Sequence, residues 1–338
     1  MNKPPLCSVC IANYNGIGLI DDCIGSVLAQ EVGAAVEIIV HDDASEDGSA
    51  AYIRERYPQV RLIESRDNVG FCVSNNRMAQ AAQGRYLLLL NNDAALLPGA
   101  LAALAARAES LDEPAILGLP QYDADGGKLI DLGSMLDPFL NPIPNLKLET
   151  REVATTIGAC LWLPRSLWQE LDGFPDWFGS IAEDTFLCCK ARLYGYKVIA
   201  LAESGFRHHV GKSLGGGKVR SDRLQTRMSR RRLSERNKNF VIAMTYPAPI
   251  LQLVLPLHVL LLLAEGLALS LMLFNARLLP HVYLASIGAL WSHRDAIRRE
   301  RKAVQSRRRI GRLAFFSAFC LLPQKLNLLF KYGLPRIG

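Results

Sequence analysis

The first hundred residues alternate short apolar runs with segments of helical spacing, and this pattern limits the fold more than any other feature. Apolar runs occur at 6–13, 36–45, 60–65 and 85–93, and segments of helical spacing at 19–30, 49–58 and 71–84. Strands that alternate with helices of this length form a parallel sheet with helices on both faces. The sequence therefore predicts an α/β fold with a mostly parallel central sheet.

Polar clusters follow three of the predicted strands. They are Asn13-Tyr14-Asn15, Asp42-Asp43 and Asn91-Asn92-Asp93. Each cluster alone fits a turn, because Asn and Asp side chains bond to their own backbone. In parallel sheets, however, ligands bind beyond the carboxyl ends of the strands. Three clusters at one edge therefore favour a ligand site, in which Asp93 is a candidate metal ligand.

Charge is divided unevenly along the chain. Residues 1–206 contain 15 Lys and Arg against 27 Asp and Glu, whereas residues 207–338 contain 24 against 5. Such an asymmetry predicts an anionic partner for the second part, either a membrane or a nucleic acid. The basic residues alternate with long apolar runs and match no nucleic-acid-binding module. We therefore expect a membrane partner and no nucleic acid.

The eight cysteines are scattered, mostly in apolar runs where a free Cys behaves as a small hydrophobe. Cys7 and Cys10 lie in a predicted strand without a second pair, which argues against a zinc or redox site. The segment before the first strand lacks the apolar region of a secretory signal, so we expect a cytosolic location with reduced thiols.

Separated motifs occur in an order that is typical of one enzyme family. They are IANYNG at 11–16, HDDASEDGS at 41–49, RDNVGFCVSNN at 66–76, NND at 91–93 and GFPDWFGSIAED at 173–184. Together they resemble the family 2 glycosyltransferases, which use nucleotide sugars and have the Rossmann-like type A fold. The resemblance is strongest to bacterial rhamnosyltransferase-like members that build cell-surface polysaccharide. It covers residues 6–240 and implies a glycosyltransferase domain at 1–240, followed by a helical membrane-associating region at 241–338.

The resemblance assigns the donor nucleotide to the loops after the first strands. Ala12 and Tyr14 would contact the base or ribose, and Asp43 would accept a hydrogen bond from the pyrimidine ring N–H. The segment 66–76 resembles the loop and helix that close over the donor. The donor-binding residues that the resemblance implies are Ala12, Tyr14, Asp43, Asn68, Gly70, Asn75 and Asn92.

The NND segment stands where the family has its metal-binding D-x-D motif. The leaving diphosphate needs a divalent cation, and Mg²⁺ or Mn²⁺ takes oxygen ligands. The resemblance implies Asp93 as a direct ligand, whereas Asn91 either reaches the metal through water or orients the ribose. A neutral histidine would complete the metal shell. Of His208 and His209 we prefer His209, because of its spacing to the GKS segment at 211–213.

Glu183 and Asp184 match the acidic pair that opens a helix in the family. Attack by a sugar hydroxyl needs a base on the face opposite the leaving diphosphate. The resemblance implies Asp184 as that base and Glu183 as a residue that binds or orients the acceptor. Trp177, in the preceding aromatic loop, would stack on the acceptor sugar. Acidic residues also favour the first turn of any helix, so this pair alone would not indicate an enzyme.

Residues 248–274 form an apolar run of 27 positions, long enough to cross ~30 Å of hydrocarbon. Gln252, Pro256, His258 and Glu265 interrupt this run, and charge within a membrane is costly. The nine Lys and Arg of 294–312 favour the cytosolic side of a membrane. The catalytic part must lie on the same side, because nucleotide sugars are cytosolic. A single crossing between the two would therefore put the basic residues on the wrong side. We therefore expect a re-entrant hairpin or interfacial helices on anionic lipid, at the cytoplasmic face of the inner membrane. A buried core helix is the alternative.

The predicted function is that of an inverting glycosyltransferase that depends on Mg²⁺ or Mn²⁺. It would move a sugar from a nucleotide diphosphate, with dTDP-L-rhamnose as the leading donor, to a glycan acceptor on a polyprenyl lipid. A UDP-hexose or UDP-N-acetylhexosamine donor is the first alternative, since both bind through the same pyrimidine pocket. A non-catalytic nucleotide-binding membrane scaffold is an alternative of another class. Such a scaffold should lack Asp93 or Asp184, and the chain has both.

Overall fold

The chain divides into two compact units. The computed structural model describes residues 4–124, 127–209, 216–220 and 223–337. The first unit comprises Met1–Ser134, Pro144–Ala191 and Tyr196–His209, and the second comprises Met135–Ile143, Arg192–Gly195 and Val210–Gly338. Residues 223–240, which the sequence pattern grouped with the first domain, fall in the second unit.

Secondary structure follows the predicted alternation. Strands β1 to β8 are Cys7–Asn13, Val36–Asp42, Arg61–Glu64, Tyr86–Asn91, Ala94–Leu96, Ala115–Gly118, Gln121–Asp123 and Leu129–Asp131. Strands β9 to β16 are Ser134–Leu136, Pro142–Pro144, Cys160–Pro164, Lys197–Ala200, Phe206–His208, Gly216–Arg220, Arg223–Thr226 and Arg336–Ile337. Helices α1 to α6 are Ile20–Leu28, Ser49–Arg56, Phe71–Ala81, Ala100–Glu109, Arg165–Glu170 and Glu183–Leu193. Helices α7 to α12 are Met228–Thr245, Ile250–Met272, Ala285–Ser292, Arg294–Ser306, Arg312–Phe316 and Gln324–Tyr332, with a 3₁₀ turn at Asp176–Phe178 and a π-helical turn at Leu279–Leu284.

The central sheet lies in the first unit. Over the described residues it has seven strands, in the order β12-β6-β11-β4-β1-β2-β3. Strands β4, β1, β2 and β3 are parallel neighbours and β12 is parallel to β6, whereas β11 runs antiparallel to β4 and β6. Residues 87–90 of β4 are buried on both faces, as expected of a continuous apolar run in a parallel sheet. The prediction of an α/β fold with a mostly parallel sheet is confirmed.

A smaller sheet in the first unit continues the chain beyond β4. Its order in the described part of the chain is β5-β13-β7-β8, with β13 antiparallel to β5 and parallel to β7. In this register His208 lies opposite Ala94, the residue after Asp93. Phe206 and His208 are buried and Arg207 is exposed, as the alternation of side chains along a strand requires. The small sheet therefore carries His208 to the end of β4.

The second unit is mainly helical. Helix α7 is continuous from Met228 to Thr245 and packs against α9 and α10. Arg301 of α10 donates to the carbonyls of Ala243 and Tyr246 at the end of α7, at 2.8 Å each. Because α7 is one helix held by later helices, its basic first half belongs with the second unit and not with the first.

Helix α8 has a buried face and an exposed apolar face. It is the one helix within the described ranges that is long and apolar enough to cross a membrane, with a mean hydropathy of 2.0. The buried face carries His258, Leu262, Gly266 and Leu269. The opposite face exposes about half or more of Leu253, Leu257, Leu260, Leu267 and Leu271. His258, one of the residues that interrupt the apolar run in the sequence, is thus buried inside the protein.

Glu265 of α8 belongs to a cluster of paired charges within the second unit. Lys325 Nζ lies 2.6 Å from Glu265 Oε2 and 2.8 Å from Glu235 Oε1. Lys238 Nζ lies 2.9 Å from Glu235 Oε2, and Arg231 pairs with Glu265. Burial opposes the ionised form of Glu235, but the neighbouring Lys238 and Lys325 outweigh it and hold its pKa well below the usual range. The charge of Glu265 is therefore compensated inside the protein.

Candidate active site

Asn13, at the end of β1, ties together three neighbouring strand ends. Its Nδ2 donates to Asp42 Oδ2 at 2.7 Å and to Ser49 Oγ at 2.9 Å. Its Oδ1 accepts from Asn92 Nδ2 at 2.9 Å. A Cβ atom at Gly16 would lie 2.2 Å from Asn13 Oδ1, so this contact requires glycine. Asn13 was absent from the predicted donor residues, although it lies in the first predicted polar cluster.

Asp43 fixes the loop that precedes α3. Its Oδ1 accepts from the Val69 N–H at 2.7 Å and its Oδ2 accepts from the Gly70 N–H at 2.8 Å. Asn68 Nδ2 donates to the Asp43 carbonyl at 3.4 Å. Gly70 has a φ of 87°, a conformation that favours glycine. The structure therefore brings Asp43, Asn68 and Gly70 together, and a bond from Asp43 to a pyrimidine ring stays a prediction.

The remaining predicted donor residues differ in exposure. Ala12 is half-buried in β1 and lies in register with Asn91 of β4. Tyr14 is 50% exposed, so its ring is accessible to a ligand. Asn75 is almost completely buried, and its amide donates to the Phe71 carbonyl one turn earlier in α3. The structure gives Asn75 a bond inside its own helix, and its contact with a donor stays a prediction.

Asp93 and His208 form a buried pair after β4. His208 Nε2 lies 3.1 Å from Asp93 Oδ1, and His208 Nδ1 lies 3.0 Å from Gln121 Nε2. All three side chains are almost completely buried. His209 is half-buried, and it is its backbone N–H that donates to the Asp93 carbonyl at 2.9 Å. The sequence pattern favoured His209 from a GKS segment that lies outside the described residues, whereas the ring that reaches Asp93 is that of His208.

The side chains around Asp93 suit a divalent cation that has further ligands from outside the protein. A carboxylate suits both Mg²⁺ and Mn²⁺, whereas an imidazole nitrogen suits the transition metal Mn²⁺ better than Mg²⁺. Sites for these ions commonly combine one or two protein groups with phosphate oxygens and water. Asn91 Oδ1 is buried and accepts no hydrogen bond from the described residues. Among the described residues, no group of three or more His, Cys, Asp and Glu is placed to hold a metal ion by itself. A cation here would therefore need the diphosphate or water to complete its shell.

Asp184, in the first turn of α6, is linked to the end of β4. Its Oδ2 accepts from the Gly158 N–H at 2.9 Å and its Oδ1 from the Thr185 N–H at 2.6 Å. Burial raises the pKa of Asp184, and these N–H bonds oppose the rise without cancelling it. The Ala159 carbonyl accepts from the Asn91 N–H at 3.0 Å. Residues 158 and 159 thus connect the Asp184 carboxylate to the strand that ends in NND.

The chain before α6 has a strained backbone. Ile181 and Ala182 have φ angles of 73° and 66°, a region that costs L-residues roughly 1–2 kcal/mol each. A β-branched residue such as isoleucine is rare there. Glu183 follows and is buried, while Trp177 is half-buried with its ring 4.9 Å from that of Phe178. Strain of this kind collects at functional sites, and here it sets the direction in which α6 begins.

Residues 8–171 match the family model described as Glycosyl transferase family 2. This part of the chain belongs to glycosyl transferase family 2. The membership that the sequence motifs predicted is thereby confirmed. The family 2 match contains the donor edge and Asp93, and it ends before Trp177, Asp184 and His208.

Curated relatives are similar to part of the chain. The succinoglycan biosynthesis protein ExoO of Rhizobium meliloti is 34% identical over 131 residues, which are 38% of this chain and 37% of ExoO. An N-acetylglucosaminyl-diphospho-decaprenol L-rhamnosyltransferase of Mycobacterium tuberculosis is 26% identical over 210 residues, which are 53% of this chain and 68% of that enzyme. The chain spans about a third of the length of the first curated relatives that it matches.

Solved structures resemble this chain over most of its length. TarS 1–349 of S. aureus in complex with UDP-GlcNAc aligns with a TM-score of 0.57 and 18% identity, over 89% of this chain and 90% of that chain. The mannosyltransferase PcManGT from Pyrobaculum calidifontis, in complex with GDP-Man and Mn²⁺, aligns with a TM-score of 0.52 and 20% identity, over 90% and 86%. At such identities the likeness concerns the fold, and it confirms the glycosyltransferase type A fold.

Proposed function

We propose that this chain is an inverting glycosyltransferase that moves a sugar from a nucleotide diphosphate to an acceptor hydroxyl. The observation that carries the proposal is the bonded path between two candidate groups of different chemistry. Residues 158 and 159 join the Asp184 carboxylate to Asn91, two residues before the Asp93–His208 pair. Sugar transfer from a diphosphate requires a metal site that binds the leaving diphosphate and a base that takes the proton of the acceptor hydroxyl, close to each other.

Asp93 and His208 are the residues that would hold the divalent cation. When bound, Mg²⁺ or Mn²⁺ neutralises the charge that develops on the leaving diphosphate. We propose His208, and not His209, as the histidine that binds the metal, because the His208 ring lies against the Asp93 carboxylate. Gln121 bonds the other ring nitrogen of His208 and fixes its orientation. The Mn²⁺ in the PcManGT complex supports a divalent metal in a protein of this fold.

Asp184 is the proposed base. Its carboxylate would take the proton from the acceptor hydroxyl as that oxygen attacks the anomeric carbon from the face opposite the diphosphate. The burial that raises its pKa brings it closer to the range in which a carboxylate accepts a proton well. Glu183, buried beside it, would orient the acceptor, and Trp177 would stack on the acceptor sugar.

The proposed donor is a pyrimidine nucleotide sugar. Ala12, Tyr14 and Asn92 would face the nucleoside, and Asp43 would act with Asn68 and Gly70 through the loop that it holds. The rhamnosyltransferase relative supports dTDP-L-rhamnose. A UDP-hexose or UDP-N-acetylhexosamine is the alternative, which the UDP-GlcNAc bound to TarS supports.

The proposed acceptor is a glycan on a polyprenyl diphosphate lipid, as the name of the rhamnosyltransferase relative suggests. The second unit would provide the membrane surface. The leucines exposed on α8 form an apolar stripe, and its buried face is held by the pair of Glu265 and Lys325. A helix with one face held inside the protein suits the plane of the cytoplasmic leaflet better than a crossing. The basic segment 294–312 would meet anionic headgroups there.

The experiment is donor hydrolysis, because many glycosyltransferases slowly hydrolyse their donor without an acceptor. Purified protein in mild detergent would be given dTDP-, UDP- and GDP-sugars with Mn²⁺, Mg²⁺ or EDTA. We expect turnover of one donor, stopped by EDTA and by Asp93→Ala. No turnover and no metal-dependent binding of any donor would refute the proposal. Metal-dependent binding without hydrolysis or transfer would favour the non-catalytic scaffold instead.

A further inference from the structure

Asn76 of α3 clamps the segment that leads to Glu183 and Asp184. Its Nδ2 donates to the Phe174 carbonyl and to Asp176 Oδ1, both at 2.7 Å. Its Oδ1 accepts from the Phe174 N–H at 3.0 Å. One side chain thus bonds both backbone groups of Phe174 and a side chain two residues later, almost a hundred residues away in the sequence.

The packing around this clamp leaves little freedom. A Cβ atom at Gly173 would lie 2.6 Å from Asn76 Oδ1, and Gly173 has a φ of 56°, so the position is suited to glycine on both counts. The Phe174 ring stacks on Phe71 of α3, with 6.2 Å between centroids. It also meets the edge of Trp168 at 5.0 Å. The segment 173–176 is therefore held against α3 by shape as well as by hydrogen bonds.

The other end of the same helix carries the proposed donor loop. Val69 and Gly70, directly before α3, donate to the Asp43 carboxylate. In the first turn of α3, the Cys72 N–H donates to the Gly179 carbonyl at 3.1 Å. The two residues before α3 thus bond the donor loop to Asp43. Within α3, Cys72 and Asn76 bond the two ends of the segment 174–179.

We infer that Asn76 is a positioning residue that couples the donor loop 68–70 to the acceptor segment 173–182. A donor that settles against the loop restrains α3, and the bonds of Asn76 pass this restraint to the residues before Glu183. Because Ile181 and Ala182 are strained, a segment released from Asn76 has a lower-energy conformation to move to. This inference rests on the proposed function, since it concerns the donor and acceptor sides of that site.

The test measures amide hydrogen–deuterium exchange in peptides covering 173–182, with and without UDP-GlcNAc or dTDP-L-rhamnose and Mn²⁺. In the unchanged protein we expect the bound donor to slow this exchange about fivefold or more, the low end of common coupling between sites. In Asn76→Ala we expect unchanged donor affinity by calorimetry but a slowing of less than about twofold. Gln80→Ala, an exposed substitution on the same helix, should behave like the unchanged protein.

A second pair of variants tests the inference in case Asn76→Ala misfolds. Asn76→Asp places a carboxylate oxygen against both Asp176 and the Phe174 carbonyl, and adding Asp176→Asn restores a donor facing an acceptor at the first of these contacts only. We expect the donor effect on 173–182 to be lost in the single variant and partly regained in the double variant. Equal donor protection in Asn76→Ala at equal donor occupancy would overturn the inference alone. Absence of donor binding by the unchanged protein would overturn the proposed function, and the coupling with it.

Discussion

Replacing His208 by alanine tests the metal assignment, with His209→Ala as the matched control one residue away. The change removes a ring that bonds Asp93 at 3.1 Å and Gln121 at 3.0 Å, and both partners are buried. A buried polar group left without its partner costs ~1–3 kcal/mol, so the two together cost about 2–6 kcal/mol of unfolding free energy. His209 is half-buried and bonds Asp93 through its backbone, so its substitution should cost about 0.5 kcal/mol or less.

The metal effect is measured separately from stability. Donor hydrolysis would be titrated with Mn²⁺ below the melting temperature of each variant. For His208→Ala we expect the half-saturating Mn²⁺ concentration to rise at least about tenfold, the loss typical of removing a residue that supports a metal site. His209→Ala should leave it within about twofold. Equal shifts in the two variants, or a shift in His209→Ala alone, would refute the assignment of His208.

Other substitutions probe the donor edge, the base and the membrane surface. Gly16→Ala brings a Cβ to 2.2 Å from Asn13 Oδ1; calorimetry should show a loss of about 1–3 kcal/mol, whereas Gly18→Ala, with open space around it, should show little change. Burial raises the pKa of Asp184, so its ionised form costs folding stability above that pKa. As the pH falls below 7, the unchanged protein should therefore gain stability relative to Asp184→Asn, whose amide does not titrate and which should slow transfer by about 10²–10⁴-fold; a difference in melting temperature that does not change with pH would contradict the reasoning. Leu260→Asp should weaken sedimentation with anionic vesicles at least about tenfold, since an exposed leucine contributes ~1.5–3 kcal/mol when buried; unchanged sedimentation would exclude this face of α8.

Much of the first unit was predictable because its strands and helices follow from local patterns. The strand ending in NND, the helix opening at Glu183 and the mostly parallel sheet were all predicted from apolar spacing and turn residues. The orientation of the two histidine rings was also within reach of the sequence. Phe206 and Arg207 already alternate apolar and charged, and continuing that alternation turns His208 inward and His209 outward.

Contacts between distant segments could not be predicted in this way. Gln121 meets His208 and Asn76 meets Phe174 only through the arrangement of whole sheets and helices. Nothing local in the sequence distinguishes Asn76 from its neighbour Asn75, which bonds inside its own helix. The packing of α7 could not be predicted either, since α7 contacts helices that come later in the sequence.

The pairing of Lys325 with Glu235 and Glu265 has a consequence for the design of shorter forms of this protein. One such form would end before the apolar C-terminal helices. Any cut that removes Lys325 takes away the cation that Glu235 and Glu265 share, and leaves Glu235 paired with Lys238 and Glu265 with Arg231. Replacing the exposed leucines of α8 by polar residues reduces the apolar surface and leaves this cation in place.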